Sequence, residues 1–197
     1  MSDFLEVMIM NATAEFNNLT TSNRYNSSLG KSEPCAPTDH GAAWDIVFSV
    51  TKEEDERLYG LGAKHFGSVK SRDTRLGEYS GFHSRRERED GVIQYTARRK
   101  CMTAKGKQNA MPPIVDAKRN TLEDRDFRGG SLTNVKVSLL PTHSPASGLW
   151  GLSMFISAVQ VITPIYAAGG VDDFPDMSGT VAATSNAHDF DDEIPFS

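Results

Sequence analysis

Cysteine is scarce in this sequence of 197 residues: only Cys35 and Cys101 occur, far apart, with no Cys-x-x-Cys pair and no His at ligand spacing. Neither a disulfide framework nor a zinc site is indicated, and both residues read as free thiols in a reducing compartment. Long apolar runs are missing as well. No segment approaches the roughly 18 residues that a membrane helix requires, and the opening Met1-Ser2-Asp3-Phe4-Leu5-Glu6 carries acids where an export signal carries positive charge. A soluble chain with no membrane partner is expected. Catalytic patterns are equally absent: the five His residues (40, 65, 83, 143, 188) show no metal spacing, no Gly-x-Ser-x-Gly elbow occurs, and no carboxylate pair stands apart from ordinary surface acids. The expectation is a protein that is not an enzyme and uses no cofactor and no metal.

Two glycine-containing stretches approach nucleotide-binding motifs and fall short. Gly30-Lys31-Ser32 matches the end of a phosphate-binding loop, but Tyr25 stands where that motif needs its first Gly, and no apolar strand leads into it. Gly60-Leu61-Gly62-Ala63-Lys64-His65 opens like a dinucleotide fingerprint, but its sixth position is His65 and it follows a helix.

Basic residues are missing from one end. Residues 171–197 hold seven acids (Asp172, Asp173, Asp176, Asp189, Asp191, Asp192, Glu193) and no Lys or Arg. The net charge of −5 is therefore an average over unlike parts, since everything before residue 171 carries +2, and residues 57–136 hold 18 Lys and Arg against nine acids. A basic body with an acidic tail is the layout of a protein that binds a polyanion and carries a competitor for its own groove.

The length suits one domain with appendages. The first strand is expected over residues 4–16, from the β-rich start Val7, Met8, Ile9 and Met10. Residues 17–40, rich in Asn, Ser and Thr with Pro34 and Pro37, predict a long loop. Residues 44–50 alternate, with Trp44, Ile46, Phe48 and Val50 on one face, as a half-buried strand does; Trp44 and Phe48 are the candidate core rings. Thr51-Lys52-Glu53-Glu54 is a capping box, which predicts a short helix ending near Leu58.

Residues 64–107 interleave bases and rings: Lys64, Phe66, Lys70, Arg72, Arg75, Tyr79, Phe82, Arg85, Arg86, Arg88, Tyr95, Arg98, Arg99, Lys100, Lys105 and Lys107. Binding to a nucleic-acid single strand without sequence preference needs that pairing, because cations track phosphates while ring faces stack on any base. Tyr79, Phe82 and Tyr95 are the candidate stacking rings. The competing reading makes these rings strand core and the Arg residues a solvated rim. Within this region residues 92–98 read as a strand and residues 104–107 as a basic turn, with Gly106 free to take positive φ. Met111-Pro112-Pro113-Ile114-Val115-Asp116 should break any regular element. Val135, Val137 and Leu139 alternate with polar residues, and after a loop over residues 141–148 comes the apolar run 149–162; together they predict a hairpin. Disorder is expected from about residue 167, which divides the chain into a domain over residues 1–166 and a tail over residues 167–197.

The tail closes on His188-Asp189-Phe190-Asp191-Asp192-Glu193-Ile194-Pro195-Phe196-Ser197. Its carboxylates keep it solvated, Pro195 forbids helix, and three apolar side chains cannot build a core, so it is suited to being held by something else. Solubility alone would not need the apolar Ile194-Pro195-Phe196. This ending resembles the acidic tip of bacterial single-stranded-DNA-binding proteins, although there the Phe is last and here Ser197 follows it. The body, taken in order as a first strand, a strand entering a capped helix, a basic stretch, Phe127-Arg128-Gly129-Gly130-Ser131 before a strand, and Gly151-Leu152 through Val159-Gln160-Val161, resembles bacteriophage single-stranded-DNA-binding proteins with an OB fold.

That resemblance implies a mainly β, five-stranded Greek-key barrel with a short helix and long loops, a DNA groove across one barrel face, and no catalysis. It further implies work in phage DNA replication or recombination in the cytoplasm of the infected bacterial host. Asp191, Asp192, Glu193, Ile194, Pro195 and Phe196 would then dock phage or host replication proteins. An RNA-binding or strand-annealing protein, or a phage structural adaptor, remains open on the residues alone.

Overall fold

Val7 and Ile9 point inward between exposed Glu6, Met8 and Met10, and this alternation starts the long strand β1 (Leu5–Asn26). The computed structural model describes residues 3–26, 28–122 and 127–166. β1 breaks register between Ile9 and Ala12 and again between Ala14 and Phe16. At the first break Asn11 takes φ 53°, a left-handed conformation that Asn tolerates better than most residues, and its N–H is held at 3.0 Å by Asn134 Oδ1. Such bulges bend a strand and raise its twist.

Where composition predicts a loop, β1 continues to Asn26 and returns through Gly30 (φ 64°) as β2 (Lys31–Pro34). Polar residues hold this arm: the Ser22 hydroxyl donates to Cys35 O at 2.6 Å, and Cys35 N–H donates to Ser22 O at 3.0 Å. Hydrophobic periodicity has no purchase on a ribbon fastened in that way.

β3 (Ala43–Val50) sends Ile46 and Phe48 into the main core, as its alternation predicts. Trp44 is buried too, in a separate small cluster with Ala42 and Cys101. The helix α1 (Lys52–Lys70) starts at Thr51, whose hydroxyl accepts from Glu54 N–H, and carries Glu53, Glu54 and Asp55 in its first turn and Lys70 in its last, which suits the helix dipole. It does not stop near Leu58. Leu58, Gly62, Phe66 and Val69 form its buried stripe, so the glycines at 60 and 62 lie mid-helix. A Cβ on Gly62 would sit 2.7 Å from Tyr79 Oη and 2.9 Å from Leu152 Cδ1 and Phe82 Cζ. Close packing is thus the reason for a helix-weakening residue there.

Six strands follow: β4 (Tyr79–Phe82), β5 (Arg86–Glu87), β6 (Ile93–Lys100), β7 (Ile114–Val115) and then the hairpin of β8 (Leu132–His143) with β9 (Trp150–Thr163). β7 arises where Pro112 and Pro113 predict a break; it needs only two residues, paired parallel to Val159 and Gln160.

The sheet order is β4-β9-β8-β1-β3-β6-β5, with β2 on β1 and β7 on β9. Its five long strands form an antiparallel meander, β1-β3-β6, and a hairpin, β8-β9, that returns to the other side of β1. This is Greek-key connectivity of the OB type. β6 and β9 come into contact without a ladder between them among the described residues, so the sheet is a curled half-barrel around the core. The architecture is mainly β with one helix and OB-fold-like. The acidic tail and its candidate docking residues, Asp191 to Phe196, lie outside the described residues. Among those described, no helix is long and apolar enough to cross a membrane.

Candidate functional site

β1, β3 and β6 each place alternate residues on the outward face of the sheet, and their registers align these residues into rows. Thr13, Ser49, Gln94 and Arg86 of β5 form one row, Phe16, Val47 and Thr96 the next, then Asn18, Asp45 and Arg98, and finally Asn23, Ala43 and Lys100. Inward residues of the same strands, Ile46, Phe48, Ile93, Tyr95 and Ala97, belong to the core. Phe16 is 54% exposed, a ring with one face in solvent. Tyr25, two residues beyond Asn23 on the arm, is 60% exposed.

The cations of this face are unneutralised. Among the described residues no carboxylate lies within ion-pair distance of Arg86, Arg98, Lys100, Lys105 or Lys107; Arg99 has no such partner either, but it pairs with Trp44 and has the opposite phase on β6, so it does not share this face. Asp45, opposite Arg98, instead accepts from Asn18 Nδ2 at 2.9 Å. Arg98 Nε and both polar atoms of the Asn23 amide are buried without a hydrogen-bond partner, a state that costs free energy until something satisfies them. Lys105 and Lys107 project from a tight turn in which Gly106 takes φ 75°, and Gly106 N–H donates to Thr103 O at 3.0 Å. Beside that turn Lys100 lines an open cavity of about 510 Å³ with His40, Ala42, Met102 and Thr103.

Not all residues of the basic and aromatic stretch belong here. Tyr95 is 0% and Phe82 7% exposed, Phe66 is buried, and Tyr79 is partly buried against the core. Phe82 meets Tyr95 edge-on at 5.4 Å, Tyr95 stacks on Phe48 at 6.1 Å, and Tyr79 lies 5.2 Å from Phe66. These four rings hold core places and cannot offer a face to a base. The reason is phase: Tyr95 shares the inward side with Ile93 and Ala97, and β4 is drawn down onto β9 beside α1. Burial accordingly pushes the Tyr79 and Tyr95 phenols above their ordinary values.

Several cations of the stretch are committed elsewhere. Arg85 grips Asp55 with two bonds of 2.8 Å, Arg75 grips Asp73 at 2.9 and 2.8 Å, and Arg72 stands 3.5 Å from Asp3. The Arg75 hydrogen bonds bring Asp73 down to about 2. Lys64 and Lys70 are exposed on α1, whose apolar stripe faces the core, so they do not share the outward rows. Asp55 also accepts from Tyr95 Oη at 2.6 Å. The Arg85 hydrogen bonds hold the Asp55 carboxyl below its usual value against the opposing effect of burial, with the Tyr95 bond assisting. This knot ties the first turn of α1 to β6 and to the entrance of β5, and so positions Arg86.

Phe16, Tyr25 and Asn23 were not indicated by the sequence. Phe16 sits just after a bulge, which breaks the alternation that would have marked it as outward, and Tyr25 lies in the arm that composition predicts as loop. The opposite outer face, formed by β1, β8 and β9, differs in charge: there Lys136 is paired to Glu6 at 2.9 Å. Among the described residues no group of three or more His, Cys, Asp or Glu stands where it could hold a metal ion.

No family model and no curated protein matches the chain. Solved structures do. One is gp2.5, a single-stranded DNA binding protein encoded by bacteriophage T7, at 14% identity and TM-score 0.54, covering 94% of this chain and 100% of that one. Another is the single-stranded DNA-binding protein from bacteriophage Enc34 in complex with ssDNA, at 11% identity and TM-score 0.51, over 80% of this chain and 85% of that one. A C-terminal truncation of the Enc34 protein gives 11% identity and TM-score 0.50, over 81% and 84%. At such identities the likeness is one of fold.

Proposed function

We propose that this chain binds single-stranded DNA without sequence preference, in phage DNA replication or recombination inside the infected bacterium, along the outward rows of β1, β3 and β6. The observation that carries the reading is the row face itself: an exposed ring, Phe16, between rows that end in the unpaired cations Arg86, Arg98 and Lys100, on the side of an OB-fold-like sheet away from its core. Stacking and phosphate contacts are the two requirements of single-strand binding, and one surface carries an exposed ring and unpaired cations that could supply them. Proteins of similar fold that bind single-stranded DNA support the reading as analogy.

The test is a titration of single-stranded DNA, duplex DNA and RNA of one sequence at several salt concentrations. Single-stranded DNA is expected to bind tightest, with a log–log salt slope of roughly −0.7 per phosphate neutralised. Tighter RNA binding would favour an RNA-binding protein on the same surface, and no salt dependence would remove the electrostatic track.

Ring substitutions separate face from core. Phe16→Ala is expected to weaken DNA binding by about 1–3 kcal/mol and to leave the melting temperature nearly unchanged. Tyr95→Ala should do the reverse, losing about 3–5 kcal/mol of folding stability. Equilibrium binding and thermal melts on the same preparations give both readouts.

The acidic residues 171–197 belong to this proposal in two roles. Carried on the same chain as the basic face, and so at an effective concentration on the order of millimolar, their seven acids compete with DNA, so removing residues 171–197 is expected to tighten binding, most at low salt. Ile194, Pro195 and Phe196 carry no charge. Phe196→Ala should therefore leave DNA affinity intact while abolishing capture of a replication protein, which a pull-down of the full chain against replication proteins reads directly.

A further inference from the structure

Cys35 follows β2 and Cys101 follows β6, yet the fold brings them into one small cluster. Cys101 is fully buried beside Ala42 and Trp44, and Cys35, half-buried, packs against that group. Both backbones are pinned: Cys35 N–H donates to Ser22 O at 3.0 Å, Cys101 N–H to Ala42 O at 2.9 Å, and Asn109 N–H to Cys101 O at 2.7 Å. The Ser22 hydroxyl also donates to Cys35 O at 2.6 Å, so the Cys35 backbone is held from both sides.

We propose that Cys35 and Cys101 are an oxidisable pair that closes to an intramolecular disulfide, a redox modification site fastening the β2–β3 connection to the end of β6. The oxidant is hydrogen peroxide. The accessible Cys35 thiolate attacks one peroxide oxygen and the O–O bond breaks, leaving a sulfenic acid on Cys35 and, after protonation, water. Cys101 sulfur then attacks Cys35 sulfur and the S–O bond breaks. The departing hydroxide takes up the Cys101 proton as a second water. Two thiols are oxidised by two electrons, and one peroxide is reduced to two waters.

The order of steps follows from the surroundings. Burial, and then the neighbouring Cys35, push the Cys101 thiol above its ordinary value, which leaves it a poor first nucleophile, whereas Cys35 reaches solvent. Once Cys35 is oxidised, Cys101 is the thiol packed against it. The bond would close a ring over β3, α1, β4, β5 and β6, a long loop of the kind whose closure most restricts the unfolded chain. It would also fix residues 38–42, which line the cavity at Lys100. The inference stands on the packing of the two thiols and does not depend on the DNA-binding proposal.

The experiment oxidises the reduced full chain with stepwise hydrogen peroxide and follows intact mass, free thiols after denaturation, and peptides digested without reductant. The expected product is lighter by about 2 Da, has lost both thiols together, shows the Cys35 peptide joined to the Cys101 peptide, and melts higher by on the order of 5–10 °C. Dithiothreitol should reverse all four changes. Cys35→Ser, at a half-exposed position, should fold normally and give no lighter product. Heavier products that carry oxygen on one cysteine, or a disulfide joining two chains, would overturn the proposal.

Discussion

The triple variant Arg86→Gln, Arg98→Gln, Lys100→Gln is expected to bind single-stranded DNA some hundredfold or more weaker than the parent at moderate salt, with its fold intact. Each of these side chains belongs to an outward row, and among the described residues none has a carboxylate partner. Each would therefore contribute a charge-assisted phosphate contact at no cost of breaking an internal ion pair. At about 1–1.5 kcal/mol per contact, three give roughly 3–4 kcal/mol, and every 1.4 kcal/mol is tenfold. The salt slope should fall by about 2, which is three contacts at roughly 0.7 each. A control variant, Arg72→Gln with Arg75→Gln, removes two cations that Asp3 and Asp73 already occupy and should change affinity little. Fluorescence anisotropy across a salt series distinguishes the two variants, and a melt verifies that neither has lost its fold.

Asp55→Ala is expected to cost about 3 kcal/mol of stability, or a melting temperature lower by on the order of 6–12 °C, without removing a core ring. The loss comes from what remains. Arg85 and Tyr95 Oη both bond to this one carboxylate, at 2.8 and 2.6 Å, and Tyr95 lies at 0% exposure. Removing the acceptor leaves a buried hydroxyl unsatisfied and a half-buried guanidinium with only its longer contact to Glu87 at 3.5 Å. The pH dependence has a definite sign. Asp55 is held below its ordinary carboxyl value in the folded state, so its contribution is fully present above the unfolded value of about 3.9 and is lost as pH falls through the lowered folded value. The difference in melting temperature between parent and Asp55→Asn should thus be constant around neutrality and shrink only below a pH of about 4. Thermal melts of both proteins from pH 7 to pH 3 check this.

What the sequence made legible was wherever one periodicity ran undisturbed. Alternation over Trp44 to Val50 placed β3 and its core residues, the capping box placed the start of α1, and Val135 to Leu139 placed β8. The end of α1 was hidden because glycine weakens a helix and two follow Leu58 closely, whereas Gly62 is the surface against which Tyr79, Phe82 and Leu152 close. The arm of β1 and β2 was hidden because polar hydrogen bonds at Ser22 and Cys35 hold it, and apolar patterning cannot report those.

The candidate site was legible in kind and not in detail. Interleaved bases and rings marked the right part of the chain, and Arg86, Arg98, Lys100, Lys105 and Lys107 do lie unpaired on or beside one face. Which rings faced outward could not be read from spacing within residues 64–107. On β6 Ile93, Tyr95 and Ala97 alternate with Gln94, Thr96 and Arg98, a phase that turns the Tyr95 ring inward, and the exposed rings, Phe16 and Tyr25, are supplied by β1, far earlier in the sequence. Two strands paired through β3 make the surface, and that pairing is a property of the fold.

The most direct test of the central claim is photocrosslinking of the full chain to a single-stranded oligonucleotide bearing a photoreactive base, followed by peptide mapping. Crosslinks are expected at Phe16 and Tyr25 of β1, with neighbouring adducts in the peptides that contain Arg98 and Lys100. Crosslinks confined to the β8–β9 face around Met8 and Phe155, with Phe16 and Tyr25 unmodified, would contradict the account.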